Sequence, residues 1–577
     1  MNRRAIVRVR ILFGGIFLFS LLIVSKLYLV QIVQGEVLSE KADRQYLNPN
    51  YVTYNRGSVF FQDKNGTSVS AATLKTGYIL YMIPVHVVDP QKTFEQLTQY
   101  IELDKTDFFK KAEKKDDPYE ELAVHVPSEI GEKIEALALD GIHVQKQKWR
   151  YYPGGSMMSH ALGFVGWEGD SLDGRYGIER YYEDVLSRDD SDVYVNFFAE
   201  IFSNLGNVLT SEDKRSEGDI ILSIEPSVQG YLERKLEEVT KQWNAKGAGG
   251  VIINPQNGEI YAIAAYPTYD PNLFGEEKSA HIFANPLVEN VFEMGSIIKP
   301  LTMAAGLDAG VVTPESTYYD AGFVEMDHAR IENFDGKGRG KVNMQKVLND
   351  SLNTGAVYVQ QKLGNDTFSQ YFRNYGLGEE TGIDVPNETM GLLDNLNSPR
   401  DVEHATAAFG QGIAMTPIGT VRALSVLANG GKRITPHLAK RIDYRLGYSK
   451  SIAFPPDKQV LKPETSEEIT RMLVHVVDEA LLEGKVKMDQ YSIAAKTGTA
   501  QIAKEGGGGY YDDRYLHSFF GYFPAFEPKF LTFMYLIEPK GVRYASATLT
   551  YPFMDIAKFL LNYYQVPPDR GTLPPPP

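Results

Sequence analysis

The sequence predicts a multidomain α+β protein. It reads as one N-terminal transmembrane helix, a mixed α/β module, and a larger C-terminal domain with an antiparallel sheet flanked by helices. Three observations carry this. The chain has 577 residues, more than one hydrophobic core ordinarily holds. A long apolar run follows a cluster of arginines at the N-terminus. Strand-like runs stand at both ends of the C-terminal region, with helical sequence between them.

The elements follow in order. Arg3, Arg4, Arg8 and Arg10 form a short basic tip, residues 1–10. Residues 11–33 are apolar except for Lys26 and a few small or polar residues, and as a helix would span roughly 34 Å at about 1.5 Å per residue. That crosses a bilayer, with the Lys26 stem carrying its charge toward the interface. Arginines before the span place the tip in the cytoplasm and everything after it outside. The sequence LYLVQIVQGE is bulky where a cleaved signal peptide needs small residues, so the span reads as an uncleaved anchor in the cytoplasmic membrane.

Residues 34–215 mix short β-like runs with charged helical stretches. The charge-dense segment from Asp104 to Glu121 reads as a solvated helix face or loop. A polar boundary from Ser211 to Asp219 precedes a second domain, residues 216–566. There Ile220 to Ile224 is a strand, and an amphipathic helix runs from Ser227 to Gly247. A hairpin follows, turning at Asn254 to Gly258. Residues 525–540 and 541–552 read as further strands, and Met554 to Tyr564 as a final helix. A Pro-rich tail covers 567–577.

Composition narrows the function. Hydrophobic residues make up 43% and charged residues 23%, a globular balance. A net charge of -15 argues against nucleic-acid binding, because phosphate contacts need Lys and Arg. The chain has no cysteine, which excludes disulfides, thiolate metal sites and a Cys nucleophile.

Three short motifs carry chemistry. In Ser296-Ile297-Ile298-Lys299-Pro300, proline is tolerated only near a helix start, so Ser296 should sit at a helix N-terminus. Positions three apart share a helix face, which puts Lys299 within reach of Ser296. A serine is a weak nucleophile until a neighbour takes its proton, and a desolvated lysine can. Alone, this pattern is also what chance and a simple helix cap produce. Ser351-Leu352-Asn353 offers a hydroxyl and a carboxamide two residues apart; by itself it is a turn or cap. Lys496-Thr497-Gly498-Thr499, after the β-like SIAA, offers an ammonium and two hydroxyls to a carboxylate. The upstream glycine order of a phosphate loop is missing.

Together, with Ser351 55 residues and Lys496 200 residues after Ser296, the motifs resemble those of the penicillin-binding transpeptidases and β-lactamases. GDIILSIEPSVQ, INPQNGEIYAIAAYPTYDPN, FEMGSIIKPLTMAAGLDAG, AFGQGIAMTP and HSFFGYFP are similar to segments of the same domain. NRGSVFF and WRYYPGGSMMSHALGFVGWEGDSLDGRYGIERYYEDVL resemble the non-catalytic pedestal (dimerisation-type) module of class B, monofunctional penicillin-binding proteins. Two departures stand out. Glu293-Met294-Gly295 precedes Ser296 where the family usually has Pro-Gly, and the segment RGSVFFQDKNG is longer than the family's usual form.

The resemblance implies a peptidoglycan D,D-transpeptidase. Ser296 would be the nucleophile, Lys299 the general base, Ser351 a proton relay and Asn353 the group that orients the substrate amide. Lys496, Thr497, Gly498 and Thr499 would bind the terminal carboxylate, with the backbone N–H groups of Ser296 and Thr499 as oxyanion hole. It implies no metal or organic cofactor, inhibition by β-lactams, and stem peptides as substrate. It also implies a SEDS-type glycosyltransferase and other divisome or elongation proteins as partners, a division role being preferred to elongation. A D,D-carboxypeptidase or β-lactamase-like hydrolase, and a non-catalytic β-lactam sensor or scaffold, are the alternatives.

Overall fold

A computed structural model describes residues 54–168, 171–188, 217–445, 447–455, 457–506 and 508–571. The apolar run at 11–33 and the chain end at 572–577 lie outside them. Among the described residues, no helix is long and apolar enough to cross a membrane.

The chain packs as two compact units: one holds residues 75–149, the other residues 56–74 and those from 150 on. The strands Ser68–Met82 and Ile142–Tyr151 contribute residues to both. This grouping is not the division at 215 read from composition. Backbone pairing is the reason. Strand Val59–Gln62 runs parallel to Gly218–Leu222, with Val59 opposite Ile220, and Gly218–Leu222 pairs on its other side with Ala439–Tyr444. In the same unit the buried Glu179 carboxylate takes Arg56 Nε at 2.8 Å and Arg150 Nε at 2.6 Å. Burying that carboxylate is tolerable because two guanidiniums meet it.

In the first unit, Asp104 caps helix Lys105–Ala112 by accepting from Asp107 N at 2.7 Å. The helix buries Phe108 and Ala112 and exposes Lys105 and Lys110, so the charge-dense segment is a solvated helix face over Lys105–Ala112 and a turn from there to the strand Glu120–Pro127. Its core joins Leu80, Met82, Leu97, Phe108 and Val126.

The second unit is built on a five-stranded antiparallel sheet. Its strands are β1 (Gly247–Ile253), β2 (Ile260–Tyr266), β3 (Ala494–Ala503), β4 (Tyr510–Phe523) and β5 (Phe530–Ile537), in spatial order β3-β4-β5-β1-β2. β1 and β2 form the hairpin expected from the Asn-Gly turn. Helix α1 (Pro226–Gln242) starts with Pro226 behind a Glu225 cap and buries Val228, Leu232, Leu236 and Val239. Successive residues of β4 serve opposite faces. Phe519 joins the core beneath α1 and the C-terminal helix, whereas Phe520 joins the core that holds Ile297 and Leu301. This is the helix-flanked sheet the sequence predicts.

Two boundaries differ from the sequence reading. The first helix ends at Gln242, and Gly247 opens β1 instead of closing the helix. Residues 541–552 are not a strand: Ala545–Thr548 is a short helix, and the C-terminal helix runs Thr550–Tyr563. Pro552 cannot donate to a sheet ladder but is tolerated in a first helical turn. Phe553, Ile556, Ala557, Leu560 and Leu561 then fall on one buried helical stripe.

Candidate active site

Ser296 lies on a 3₁₀ turn, Gly295–Ile298, that runs directly into α2 (Lys299–Asp308) with Pro300 in the first helical turn. The expected helix N-terminus is there, with Ser296 one tight turn ahead of it. Gly295 sits at φ 64°, and a Cβ at this position would come within 2.8 Å of Thr499 O. Glycine thus supplies both the left-handed conformation and the close approach to β3. α2 is buried nearly all round, as a core helix should be.

β3 carries the second part of the site. Lys496 pairs with Phe520, Gly498 with Ser518 and Thr499 with His517 across the β3–β4 ladder. A Cβ on Gly498 would lie 2.3 Å from Ser518 Oγ and 2.7 Å from Met294 O. Ser518 Oγ donates to Met294 O at 2.8 Å. The absent side chain therefore lets the Ser296 turn lie flat on the strand. β3 is an edge strand, so its outer side has no ladder partner in the sheet.

The third part is Ser351 and Asn353. Ser351 is held at φ 54°, and Asn353 opens α3 (Asn353–Leu363). Lys299 Nζ donates to Ser351 O at 2.5 Å and to Ser351 Oγ at 3.2 Å. Lys496 Nζ donates to the same Oγ at 3.0 Å. Two lysine nitrogens thus converge on one hydroxyl, whose own hydrogen is left to give elsewhere. No hydrogen bond joins Lys299 to Ser296 among the described residues. The reach expected from helical spacing is used toward Ser351 instead. Both lysines are buried, at 1% and 3% exposure. Burial and the neighbouring Lys496 charge hold Lys299 well below the ordinary lysine range. Burial pushes Lys496 down to about 8.

A side-chain network that sequence reasoning missed fixes this third part. The buried Asp320 carboxylate accepts from Gly322 N at 2.9 Å, Arg339 N at 3.0 Å, Asn333 Nδ2 at 3.0 Å and Thr354 Oγ1 at 2.9 Å. Asn333 Oδ1 accepts from Thr354 N at 3.2 Å. Asn353 Nδ2 donates to Glu332 O at 2.8 Å. The start of α3, the Asn353 carboxamide and the loop around Asn333 are thereby locked together. Asp320-Ala321-Gly322 carries a turn signal, but nothing local marks Asp320 as a partner of Thr354.

Glu293, where the sequence departs from the family's Pro-Gly, also finds a use. Its Oε1 accepts from Gly412 N at 3.1 Å and from the Tyr510 hydroxyl at 3.0 Å, tying the Ser296 turn to the turn end of the β3–β4 hairpin. Burial raises its carboxyl pKa.

Ser296, Ser351, Asn353, Lys496, Thr497 and Thr499 line one cleft of about 540 Å³. Lys299 joins them through Ser351, and Gly498 through its place on β3 between Thr497 and Thr499. Residues 248–557, over half of the chain, match the family described as the penicillin binding protein transpeptidase domain.

The chain belongs to that family. Upstream of this transpeptidase domain, residues 52–219 match the penicillin-binding protein dimerisation domain. Stage V sporulation protein D of Bacillus subtilis is 32% identical over 563 residues, covering 95% of this chain and 84% of that protein. The probable peptidoglycan D,D-transpeptidase PenA of Neisseria gonorrhoeae is 26% identical over 568 residues, covering 96% and 92%. Penicillin-binding protein 2X from Streptococcus thermophilus superposes with a TM-score of 0.71 at 20% identity, covering 90% of this chain and 81% of that one. For penicillin-binding protein 3 from Mycobacterium tuberculosis complexed with ampicillin the score is 0.69 at 22% identity, covering 91% and 98%. These two likenesses show a shared two-domain fold.

Proposed function

We propose that this transpeptidase domain cross-links peptidoglycan stem peptides through an acyl-enzyme on Ser296. The observation that carries the reading is the convergence of Lys299 and Lys496 on Ser351 Oγ, in the cleft that Ser296 lines. Ser296 Oγ attacks the carbonyl between two D-alanines, and its proton passes to Lys299, which burial and the neighbouring charge favour in the neutral form. The C–N bond breaks, and the departing D-alanine amine takes a proton by way of Ser351. Asn353 orients the substrate amide. Lys496, Thr497 and Thr499 hold the terminal carboxylate, with Gly498 keeping the strand close. The Ser296 and Thr499 N–H groups face the developing oxyanion; one such donor contributes about 2.7–4 kcal/mol. An amine of a second stem then attacks the ester, forming the cross-link and returning the proton to Ser296.

The cellular setting belongs to the same proposal. The arginine-flanked apolar run at 11–33 supports a single-pass anchor that leaves the catalytic domain outside the cytoplasmic membrane. We place the enzyme at the division septum, beside a SEDS-type glycosyltransferase and other divisome proteins, on overall length and layout.

Labelling with fluorescent penicillin tests the chemistry. One adduct per chain is expected, lost in Ser296→Ala and kept in a surface serine control. Absence of an adduct on the purified wild type would sink the acyl-enzyme. Products from a stem-peptide donor and an acceptor amine separate transfer from hydrolysis: trimmed peptides without cross-links would make the enzyme a carboxypeptidase. A tagged copy on the side wall instead of the septum would overturn the division role.

A further inference from the structure

Four residues at the mouth of the cleft take no part in the acyl transfer described above. The Arg339 guanidinium lies 5.8 Å from the Phe334 ring centre, and that of Arg543 lies 5.6 Å from the Tyr544 ring centre. The two rings meet edge to face at 5.6 Å. Both are exposed, Phe334 at 45% and Tyr544 at 39%. All four residues line the cleft that Ser296 lines.

The two cations differ in charge balance. Arg339 makes paired bonds to Asp335 at 2.8 and 2.9 Å and lies 3.7 Å from Asp350. Asp350 is paired in turn with Lys346 at 2.9 Å. Among the described residues, no carboxylate lies within 4.0 Å of Arg543. Its guanidinium is the unmatched charge of the group.

The Arg543 backbone is fixed, and its guanidinium meets the Tyr544 ring but no carboxylate among the described residues. His517 Nε2 donates to Arg543 O at 3.1 Å, and His517 Nδ1 meets Thr548 Oγ1 at 2.9 Å. Two residues on, Ala545 N donates to Thr499 Oγ1 at 3.1 Å. Arg543 is thereby held close to the β3 position where the donor is bound. Lys496, at 3% exposure, already supplies a cation deep in the cleft. An anion seated on Arg543 is therefore a second one, nearer the water. Stacking on Tyr544 restrains the guanidinium, so less freedom is lost when it pairs.

We propose that Arg543, backed by Tyr544 and Phe334, is a specificity determinant that selects donors carrying a second carboxylate, on a side chain upstream of the D-Ala-D-Ala end. The inference rests on the acyl-transfer reading. Carbenicillin and benzylpenicillin are a matched pair of probes: both carry the ring carboxylate, and carbenicillin adds one carboxylate on the side chain. Second-order acylation rate constants are measured for both on the purified full chain, as wild type, Arg543→Gln and Arg543→Lys. Arg543→Gln should slow carbenicillin by about five-fold, the scale of one exposed charge pair, and leave benzylpenicillin within about two-fold. Arg543→Lys should recover part of the loss, and added salt should shrink the wild-type preference. An unchanged ratio of the two rates in Arg543→Gln would overturn the proposal. So would an equal loss for both, which would assign Arg543 to the shared ring carboxylate. A wild type that forms no adduct with either probe would strike the acyl-transfer reading itself.

Discussion

The two walls of the cleft are held by different forces. On one side, β3 is fixed by a backbone ladder to β4 that is regular from Ala494 to Gln501, and the sheet continues through β5 to β1. On the other, Ser351 and Asn353 sit at the start of a helix whose place is set by side chains: Asp320, Asn333 and Thr354. Backbone hydrogen bonds are indifferent to side-chain identity, whereas a side-chain network fails when one member is changed. The strand wall should therefore tolerate substitution wherever no side chain is forced against the Ser296 turn. The network wall should be sensitive at each node.

Lys299 touches the network wall directly, so its loss should be the largest effect. Lys299→Met should slow penicillin acylation by about 10²–10⁴-fold, the range for a general acid–base group, with active-site titration as the measure. A loss under about ten-fold would transfer the base role to another group.

Asp320→Asn comes next. The amide presents a donor where four donors now converge. Acylation should slow by about ten- to a hundred-fold through a small displacement of Asn353. The titratable fraction of active molecules should stay near that of the wild type. A normal rate constant on a reduced active fraction would instead mean that Asp320 serves folding alone.

The third effect is a pH dependence centred on Lys496. Burial lowers its folded pKa to about 8 from the ordinary 10.5. Between those values the unfolded chain binds more protons than the folded one, so Lys496 contributes increasing stability as pH rises from about 8 toward 10.5. Over the same window the folded ammonium loses its charge, and carboxylate binding weakens. Thermal melts and acylation rates should thus move in opposite directions across this range, and Lys496→Gln should flatten both trends. Parallel movement would break the assignment of Lys496 to the carboxylate.

The smallest effect is expected in the sheet. Thr532 on β5 is fully buried, and its Oγ1 has no hydrogen-bond partner among the described residues. Thr532→Val replaces a stranded hydroxyl with a methyl of similar size. Stability should be unchanged or higher by up to about 1 kcal/mol in denaturant unfolding, with acylation unaffected. A clear destabilisation would show that the ladder side also depends on a side-chain bond.

Much of this was legible locally. The Asn-Gly hairpin, the stripe of α1 and the three motifs rest on periodicity and turn chemistry within a few residues. The strand expected at 541–552 failed because apolar content alone does not separate a buried strand from a buried helix; Pro552 was the discriminating residue. Asp320 carried no signal of its partnership with Thr354, 34 residues away, because such pairing depends on where a loop returns.

By itself the sequence determined the inventory: a serine, two lysines, a second serine and an asparagine, in the order and type that acyl transfer needs, plus an apolar run ahead of them. Tertiary structure decided the assignments. It turned Lys299 toward Ser351, brought Lys496 to the same oxygen, and removed both lysine amino groups from water. It also drew residues 56–74 into the later unit. The reason is range. Helical and strand patterns act over a few residues, whereas a lysine's partner and its proton affinity depend on groups that only packing brings within a few ångströms.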